Sequence, residues 1–266
     1  MRDITLQGWS SRGSGGLRLS PHFHDGSFAQ RMLVPTENAI LMQPSAAGEV
    51  TVAQAAQWSG LGVSLICYGG LQAGQLQAGE TLLVSGATGN FGSTAVAVSL
   101  AMGAARVVAA GRNAAVLTHL ARRFGDRVKT VTLSADEDTD RTAMQRAADA
   151  PIDLVFDILP PSAEATLVRT AAMAVRESGR VVLMGGVGML GGAELALPYP
   201  WLMRNSITVR GQWMYQLEVV PRFLAMVRTG VLDLSHETVT TFPLVDINAA
   251  AHARPFSRTV LTPNAG

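Results

Sequence analysis

Between Glu80 and Trp213 the chain alternates short apolar runs with longer amphipathic stretches. The apolar runs include TLLVSG, RVVAAG, VKTVTL, IDLVFDI and GRVVLMGG, and the intervening stretches predict helices near residues 91–102, 114–123, 138–149 and 162–176. Continuously apolar strands that alternate with helices are typical of a parallel sheet covered on both faces. The pattern predicts an α/β fold, a doubly wound parallel sheet of the Rossmann type.

The two ends of the chain have a different composition. Residues 11–27 are rich in Ser, Gly, Pro and His and predict a loop, FAQRMLVP and NAILMQP predict short strands, and QLEVVPRFLAMVRTG predicts a helix closed by Gly230. The remaining FPLVDINAAAHARPFSRTVLTP predicts short strands around one helical turn. We expect the ends to pack together beside the sheet, with segment boundaries at 1–50, 51–215 and 216–266.

The composition excludes several classes of function. Twenty-one basic and 20 acidic residues leave a formal net charge of +1, so no overall field attracts nucleic acid or an anionic membrane. The one cysteine, Cys67, excludes an internal disulfide framework and a Cys-rich zinc lobe, and we interpret it as an inert core thiol. The N-terminus lacks the apolar core of a signal peptide. We expect a cytoplasmic protein that acts on a small molecule.

Three glycines, Gly86, Gly89 and Gly92, lie between a predicted strand and a predicted helix. Their spacing is a variant of the G-x-G-x-x-G dinucleotide fingerprint, with Thr88 where the middle glycine normally stands. The first glycine permits a tight turn, the second lets the backbone approach a pyrophosphate, and the third lets the helix pack closely on the sheet. The predicted pyrophosphate site comprises Gly86, Thr88, Gly89, Asn90, Phe91 and Gly92. The alternative is an ordinary strand-to-helix turn.

The end of the next strand decides which dinucleotide is expected. NAD sites normally end this strand with a carboxylate that binds the ribose hydroxyls, and Gly111 stands there instead. Arg112 offers a guanidinium for a 2′-phosphate, and Asn113 offers a further donor. The residues therefore favour NADPH, with NAD as the weaker candidate. The alternative for Arg112 is a solvated residue at the end of a strand.

With these residues the chain resembles the medium-chain dehydrogenase/reductase superfamily, which contains zinc alcohol dehydrogenases, quinone oxidoreductases and enoyl reductases. The resemblance is carried, in the family's order, by DGSFAQRMLVPTENAILM, GETLLVSGATGNFGSTAVAVSLAMGAARVVAAGRN, IDLVFDILPP, GRVVLMGG and ITVRGQWMY. It implies a smaller β-rich GroES-like catalytic domain, truncated here and built from both chain ends, beside the Rossmann domain. Either Met1 is not the natural start or the catalytic domain is reduced.

The family's zinc motifs are missing from this sequence. Zinc members carry an early Cys ligand, a Gly-His-Glu motif and often four closely spaced cysteines, and none of these is present. The resemblance therefore implies a zinc-independent member, like quinone oxidoreductase or like alcohol dehydrogenase, with no metal site.

The resemblance also implies further cofactor contacts. The residues expected to line the ribose and the nicotinamide are Asp157, Ile158, Leu159, Met184, Gly185, Gly186, Gln212 and Trp213. For Trp213 and Met214, core packing is the alternative. The strand Ile207 to Trp213 resembles one that extends a dimer sheet, which implies a homodimer.

Two further clusters are candidates for chemistry. Tyr68 resembles the tyrosine of a T-A-Y stretch and is the candidate catalytic residue; the alternative is a half-buried tyrosine at the domain junction. His22, His24 and Asp25 could bind a metal, although a polar loop is the simpler interpretation. No pattern for covalent catalysis is visible, and the proton donor is unassigned.

These observations predict a zinc-independent, NADPH-dependent oxidoreductase. It would transfer a hydride between the nicotinamide and a carbonyl, an alcohol or an activated C=C bond. The alternative is a catalytically silent dinucleotide-binding sensor or interaction protein.

Overall fold

A computed structural model of the chain describes residues 4–7, 10–40, 42, 50–234, 238–253 and 258–263. The contacts divide it into two units, one of Met1–Gly60 with Leu234–Gly266 and the other of Leu61–Asp233. The sequence-based boundaries at residues 50 and 215 therefore differ from those given by the contacts. The first unit is built from both ends of the chain, and the second contains the whole alternating segment.

The elements follow one another in the order that the sequence pattern predicts for the alternating segment. The strands are β1 (Ile4–Leu6), β2 (Ser10–Arg12), β3 (Thr81–Ser85), β4 (Arg106–Gly111), β5 (Val128–Thr132), β6 (Leu154–Asp157), β7 (Arg180–Leu183), β8 (Thr208–Gly211), β9 (Val239–Pro243) and β10 (Arg258–Thr262). The α-helices are α1 (Gly13–Leu19), α2 (Val52–Trp58), α3 (Leu61–Ala73), α4 (Asn90–Ala101), α5 (Ala114–Phe124), α6 (Glu137–Ala148), α7 (Ala165–Ala172), α8 (Tyr199–Arg204), α9 (Val220–Arg228) and α10 (Ile247–Ala251).

The second unit is built on a parallel sheet with the strand order β5-β4-β3-β6-β7-β8. All five neighbouring strand pairs in this sheet run parallel. This is the strand order of a dinucleotide-binding Rossmann fold, in which the chain moves outward from β3 in one direction and later from β6 in the other. The predicted doubly wound α/β fold is confirmed.

Successive residues of the central strands face opposite layers of helices. Leu83 and Val155 belong to one buried cluster with Met144 of α6. Phe156, one residue further along β6, lies against Gly70 of α3, where an added Cβ would come within 2.5 Å of its ring. Because side chains alternate along a strand, a continuously apolar run is buried on both of its faces. This is the physical reason for the apolar runs in the sequence.

Helix α9 belongs to the sheet unit, whereas the sequence predicts that residues 216–266 return to the smaller domain. Phe223 of α9 is buried, and its ring lies 5.6 Å from the ring of Tyr68 in α3. Gly230 follows the helix with a φ of 75°, as the predicted closure requires. The packing of Phe223 against α3 therefore shifts the boundary toward the C-terminus.

The first unit contains two small sheets. Strands β1 and β2 pair antiparallel, and β9 and β10 pair parallel with α10 between them in sequence. The last arrangement agrees with the predicted strands around one helical turn. Thr51 is the N-cap of helix α2, and its hydroxyl and the Gln54 side chain form a reciprocal capping box.

Two expectations for the N-terminal region were wrong. Residues 13–19, predicted as part of a loop, form α1, which packs on β1 and β2 with Gly16 buried. Residues 28–34, predicted as a strand, have no strand partner in the part of the chain that the structure describes, and Phe28 and Leu33 are exposed. Helix packing overrode glycine's low propensity in the first case, and lack of a pairing partner prevented the strand in the second.

Within the described ranges, none of the helices combines the length and the apolarity that crossing a membrane would need.

Two glycines of α3 allow a matched test of this packing. Gly70→Ala should lower the free energy of unfolding by about 1 to 2 kcal/mol, because overpacking against Phe156 and Met184 outweighs the gain in helix propensity. Gly62→Ala, where an added Cβ meets nothing within 4 Å, should leave stability unchanged or raise it by up to about 1 kcal/mol. Urea unfolding of both variants checks the prediction, and equal effects would contradict it.

Candidate functional site

The carboxyl ends of the central strands meet at one edge of the sheet. The strand register aligns Ser85 with Ala110 on one side and with Asp157 on the other. Asp157 is in turn aligned with Leu183, and Leu183 with Gly211. Ligands of open α/β sheets bind at this edge, outside the strand ends and at the point where the strand order reverses. The cofactor residues named from the sequence follow these strand ends, so the fold brings them together.

The glycine turn after β3 is packed as the fingerprint requires. Gly86 has a φ of 87°, a conformation that side chains rarely adopt. A Cβ on Gly92 would lie 2.0 Å from the carbonyl oxygen of Gly86, so only glycine lets α4 approach the turn this closely. Gly89 differs, since among the described residues a Cβ there would meet only the Gly86 oxygen, at 3.5 Å. The space in front of Gly89 is open to a ligand.

The N-terminus of α4 has open hydrogen-bond donors. Its N-cap is Gly89, which has no side chain with which to cap it. The amide of Ser93 donates to the Gly89 carbonyl at 2.9 Å, whereas the preceding amides of Asn90, Phe91 and Gly92 have no acceptor among the described residues. Free amides at the positive end of a helix dipole are suited to a phosphate group. The residues present therefore fit the pyrophosphate of a dinucleotide.

The end of β4 presents one cation to solvent. Gly111 is buried against the side chain of Thr88, while Arg112 and Asn113 are exposed. Asn113 is the N-cap of α5, and its Oδ1 accepts from the amides of Ala115 at 3.1 Å and Val116 at 3.2 Å. The oxygen of Asn113 is therefore committed to α5, and its amide nitrogen is the remaining donor for a ligand.

Asp157, the last residue of β6, has a buried carboxyl group that is 3% exposed. Burial raises its pKa to about 7, opposed in part by hydrogen bonds from the Leu159 amide, the Ser85 hydroxyl and the Gly185 amide. Its Oδ1 has no hydrogen-bond partner among the described residues. The other oxygen faces Gly185, where a Cβ would lie 2.6 Å from Oδ2. One carboxyl group thus connects β3, the loop after β6 and the loop after β7.

The loops after β6 and β7 are packed directly on each other. The amide of Met184 donates to the Asp157 carbonyl at 3.0 Å, and that of Gly186 to the Leu159 carbonyl at 2.8 Å. The carbonyl of Ile158 lies 3.2 Å from where a Gly86 Cβ would stand, which joins these loops to the glycine turn. The loops after β6 and β7 are therefore packed together with the glycine turn after β3.

The segment after β8 continues this edge. The amide of Gln212 donates to the Leu183 carbonyl at 3.0 Å, and its side chain donates to the carbonyls of Trp213 at 3.3 Å and Met214 at 3.2 Å. Met214 has a φ of 56°, and Trp213 is 40% exposed. The exposed indole does not have the burial that the core-packing alternative requires, whereas Met214 is half-buried.

The candidate catalytic residue Tyr68 is a buried residue of α3. Its hydroxyl accepts from Gln72 Nε2 at 3.0 Å, and its ring packs on Phe223. The neighbouring Cys67 is buried, and its thiol donates to the Phe91 carbonyl at 3.2 Å. Tyr68 is therefore buried inside the sheet unit and is not the half-buried residue of the alternative, and its catalytic role stays a prediction.

The N-terminal histidines lie in an exposed loop. His24 Nδ1 is 2.9 Å from Asp25 Oδ1, and the side chains of His22, His24 and Asp25 are exposed. In the part of the chain that is described, no three His, Cys, Asp or Glu side chains come together as a metal-binding group.

Sequence reasoning missed Ser85. Its hydroxyl hydrogen-bonds the Asp157 carboxyl group across the β3–β6 pair. The available signal was a polar residue at the end of an otherwise apolar strand, directly before Gly86.

The fold is shared with solved dehydrogenases and reductases. A thermostable alcohol dehydrogenase from Pyrobaculum aerophilum matches 86% of this chain at 22% identity, with a TM-score of 0.62. The 2R,3R-butanediol dehydrogenase from Bacillus subtilis matches 79% at 18% identity and a TM-score of 0.65. Acetophenone reductase from Geotrichum candidum, in complex with NAD, matches 82% at 23% identity and a TM-score of 0.59. The chain covers 62%, 58% and 57% of these three proteins, respectively.

A family model identifies the sheet unit more directly. Residues 91–229, just over half of the chain, match the model described as zinc-binding dehydrogenase. The matched segment runs from the N-terminus of α4 to the end of α9 and includes the strand ends from β4 to β8. The chain therefore belongs to the zinc-binding dehydrogenase family of the medium-chain dehydrogenase/reductase superfamily.

Proposed function

We propose that this chain is an NADPH-dependent oxidoreductase that transfers a hydride between the nicotinamide and a carbonyl, an alcohol or an activated C=C bond. The observation that carries the proposal is the open N-terminus of α4, with Gly89 as a bare N-cap and three amides without acceptors among the described residues. A nicotinamide cofactor would donate or accept the hydride, and the chain's own residues would bind it, orient it and exclude water.

The proposed preference for NADPH is supported by the end of β4. No carboxylate follows this strand, and Arg112 is exposed directly after Gly111. A guanidinium binds a 2′-phosphate through charge-assisted hydrogen bonds, whereas the ribose hydroxyls of NADH offer it no charge. We propose Arg112 as the phosphate ligand and the Asn113 amide as a second donor.

The nicotinamide end of the cofactor is assigned to the loops after β6, β7 and β8. The assigned residues are Asp157, Ile158, Leu159, Met184, Gly185, Gly186, Gln212 and Trp213. Support comes from the short hydrogen bonds between these loops, which hold them in one arrangement before a ligand arrives. In this assignment Asp157 acts beneath the surface as the group that holds the loops together.

Two further proposals concern metal and assembly. We propose that this chain is zinc-independent, because its buried cysteine donates its thiol to the Phe91 carbonyl and, among the described residues, no three His, Cys, Asp or Glu side chains come together as a metal-binding group. We also propose a homodimer through β8, whose residues Thr208 to Gly211 are exposed at the edge of the sheet, next to β7.

The second candidate function is a dinucleotide-binding protein without turnover. It is favoured by the burial of Tyr68, whose hydroxyl is held by Gln72 away from solvent. Reduction of a carbonyl needs a proton donor at the reacting atoms, and the sequence assigns none.

Consumption of NADPH tests the first candidate against the second. Incubation with NADPH and a panel of quinones, enones and aldehydes should give loss of absorbance at the nicotinamide band. Gly89→Leu is the matched control, because the leucine enters open space in the protein but fills the proposed pyrophosphate site. It should abolish cofactor binding with little change in thermal stability. Tight NADPH binding by the wild type without turnover across the panel would favour the silent candidate.

The phosphate assignment predicts a selective loss. Arg112→Ala should weaken NADPH binding by about 10- to 100-fold, because a charged hydrogen bond is worth about 1.5–3 kcal/mol, and should leave NADH binding nearly unchanged. The matched control is Arg122→Ala, which removes an exposed arginine from the last turn of α5. Titration of nicotinamide fluorescence measures both dissociation constants. Equal losses for NADPH and NADH would refute the assignment.

The buried carboxyl of Asp157 predicts a pH dependence of stability. Its pKa is about 7 in the folded chain and near the ordinary 3.8 when unfolded, so between these values only the folded chain holds the proton. The free energy of unfolding should therefore fall as the pH rises, by about 2 to 3 kcal/mol between about pH 5 and pH 8. Asp157→Asn removes the titrating carboxyl group and therefore this pH dependence. Urea unfolding should show the variant gaining on the wild type as the pH rises, and a constant difference would contradict the prediction.

A further inference from the structure

The side chain of Thr88 fills the space beside Gly111. A Cβ built on Gly111 would lie 2.4 Å from Thr88 Cγ2, 2.7 Å from Thr88 Oγ1 and 3.1 Å from Thr88 Cβ. Carbon atoms in contact normally stand about 3.5–4.0 Å apart. The threonine side chain therefore occupies the place where any side chain at position 111 would begin.

The backbone gives no second reason for glycine at position 111. Gly111 is absent from the positive-φ glycines, and the Thr88 side chain supplies all three of the nearest atoms. The turn is also fixed relative to β4, because the Ala87 amide donates to the Ala110 carbonyl at 3.0 Å. Thr88 cannot move far without breaking this attachment. The residue at position 88 thus restricts the residue at position 111.

We propose that Thr88 is a specificity-determining residue, which selects NADPH by excluding the carboxylate at position 111 that would bind the ribose of NADH. The inference rests on the proposed function, since it concerns the same cofactor site. Gly111 stands where NAD sites have their acidic residue. The absence of a carboxylate at position 111 is coupled to the threonine at position 88 by a steric contact.

A threonine at position 88 in place of a carboxylate at position 111 also changes the chemical groups that the edge of the sheet presents. A carboxylate only accepts hydrogen bonds and repels a phosphate, whereas a threonine hydroxyl can donate to a phosphate oxygen. Thr88 is half-buried, so part of the residue remains accessible at the turn. Thr88 therefore removes an obstacle to the phosphate and leaves Arg112 as the nearest charge in sequence.

A double-mutant cycle without cofactor tests the steric part. Gly111→Asp should lower Tm by about 5 °C or more in the wild-type background, since the new side chain collides with Thr88. In the Thr88→Gly background the same substitution should lower Tm by less than half as much, the effect of Thr88→Gly alone being subtracted. Equal shifts in the two backgrounds would overturn the proposal.

Cofactor titration of the same four proteins tests selectivity. The wild type and Thr88→Gly should bind NADPH more tightly than NADH, because both retain Arg112. The double variant should reverse the order, with the ratio of the two dissociation constants changing by at least about tenfold. A double variant that keeps the wild-type ratio overturns this inference alone. A wild type that binds neither cofactor overturns the proposed function, whatever the cycle shows.

Discussion

The register of the parallel sheet is the constraint on which the candidate site depends. Ser85, Asp157, Leu183 and Gly211 are aligned pair by pair, so the loops that follow them start at the same level. A shift of one residue between two central strands would exchange the faces of one strand, so that side chains fitted to one helix layer would meet the other layer. Burial on both faces therefore fixes the level of the loops. The precision of the site is a by-product of core packing.

The contacts at this edge show why so many of its residues are small. Gly92 lies against the Gly86 carbonyl, and Gly185 lies against Asp157 and Leu159. In each case the nearest atoms include backbone atoms or the buried carboxyl group, which cannot move without disturbing a strand end. Within the glycine turn, Gly89 is the exception, because the protein leaves its surroundings open. Packing within the protein explains why residues 92 and 185 are glycines. Contact with a ligand is the better explanation for Gly89.

The sheet unit could be predicted from the sequence because two independent signals agree. Apolar runs such as LLVS and LVFD are buried by helices on both faces, and the glycine turn marks where β3 passes into α4. The N-terminal region offered no such agreement. The glycines of residues 13–19 suggested a loop, but packing on β1 and β2 stabilises a helix there. The apolar residues at 28–34 suggested a strand, but strand formation depends on a partner that composition cannot reveal.

The position of the candidate site could be predicted from the sequence, but the contacts between its residues could not. Motif spacing located the glycine turn, and family likeness located the loops after β6 and β7. Neither could show that Asp157 is buried between β3 and the loops after β6 and β7, that Tyr68 packs in the core, or that Thr88 meets Gly111. These facts depend on distances between residues far apart in sequence. Motif positions are local information, whereas contacts between strand ends are set by the whole sheet.

The cap of α5 has a consequence for the way a cofactor would lie. Helices α4 and α5 begin after neighbouring strands, so two positive helix ends are close to each other at the same edge. Asn113 already satisfies the first amides of α5, while Gly89 leaves those of α4 free. A diphosphate would therefore meet one anion-binding terminus and one that is already neutralised. Because of this asymmetry, an elongated, negatively charged molecule would bind in only one direction along the edge of the sheet.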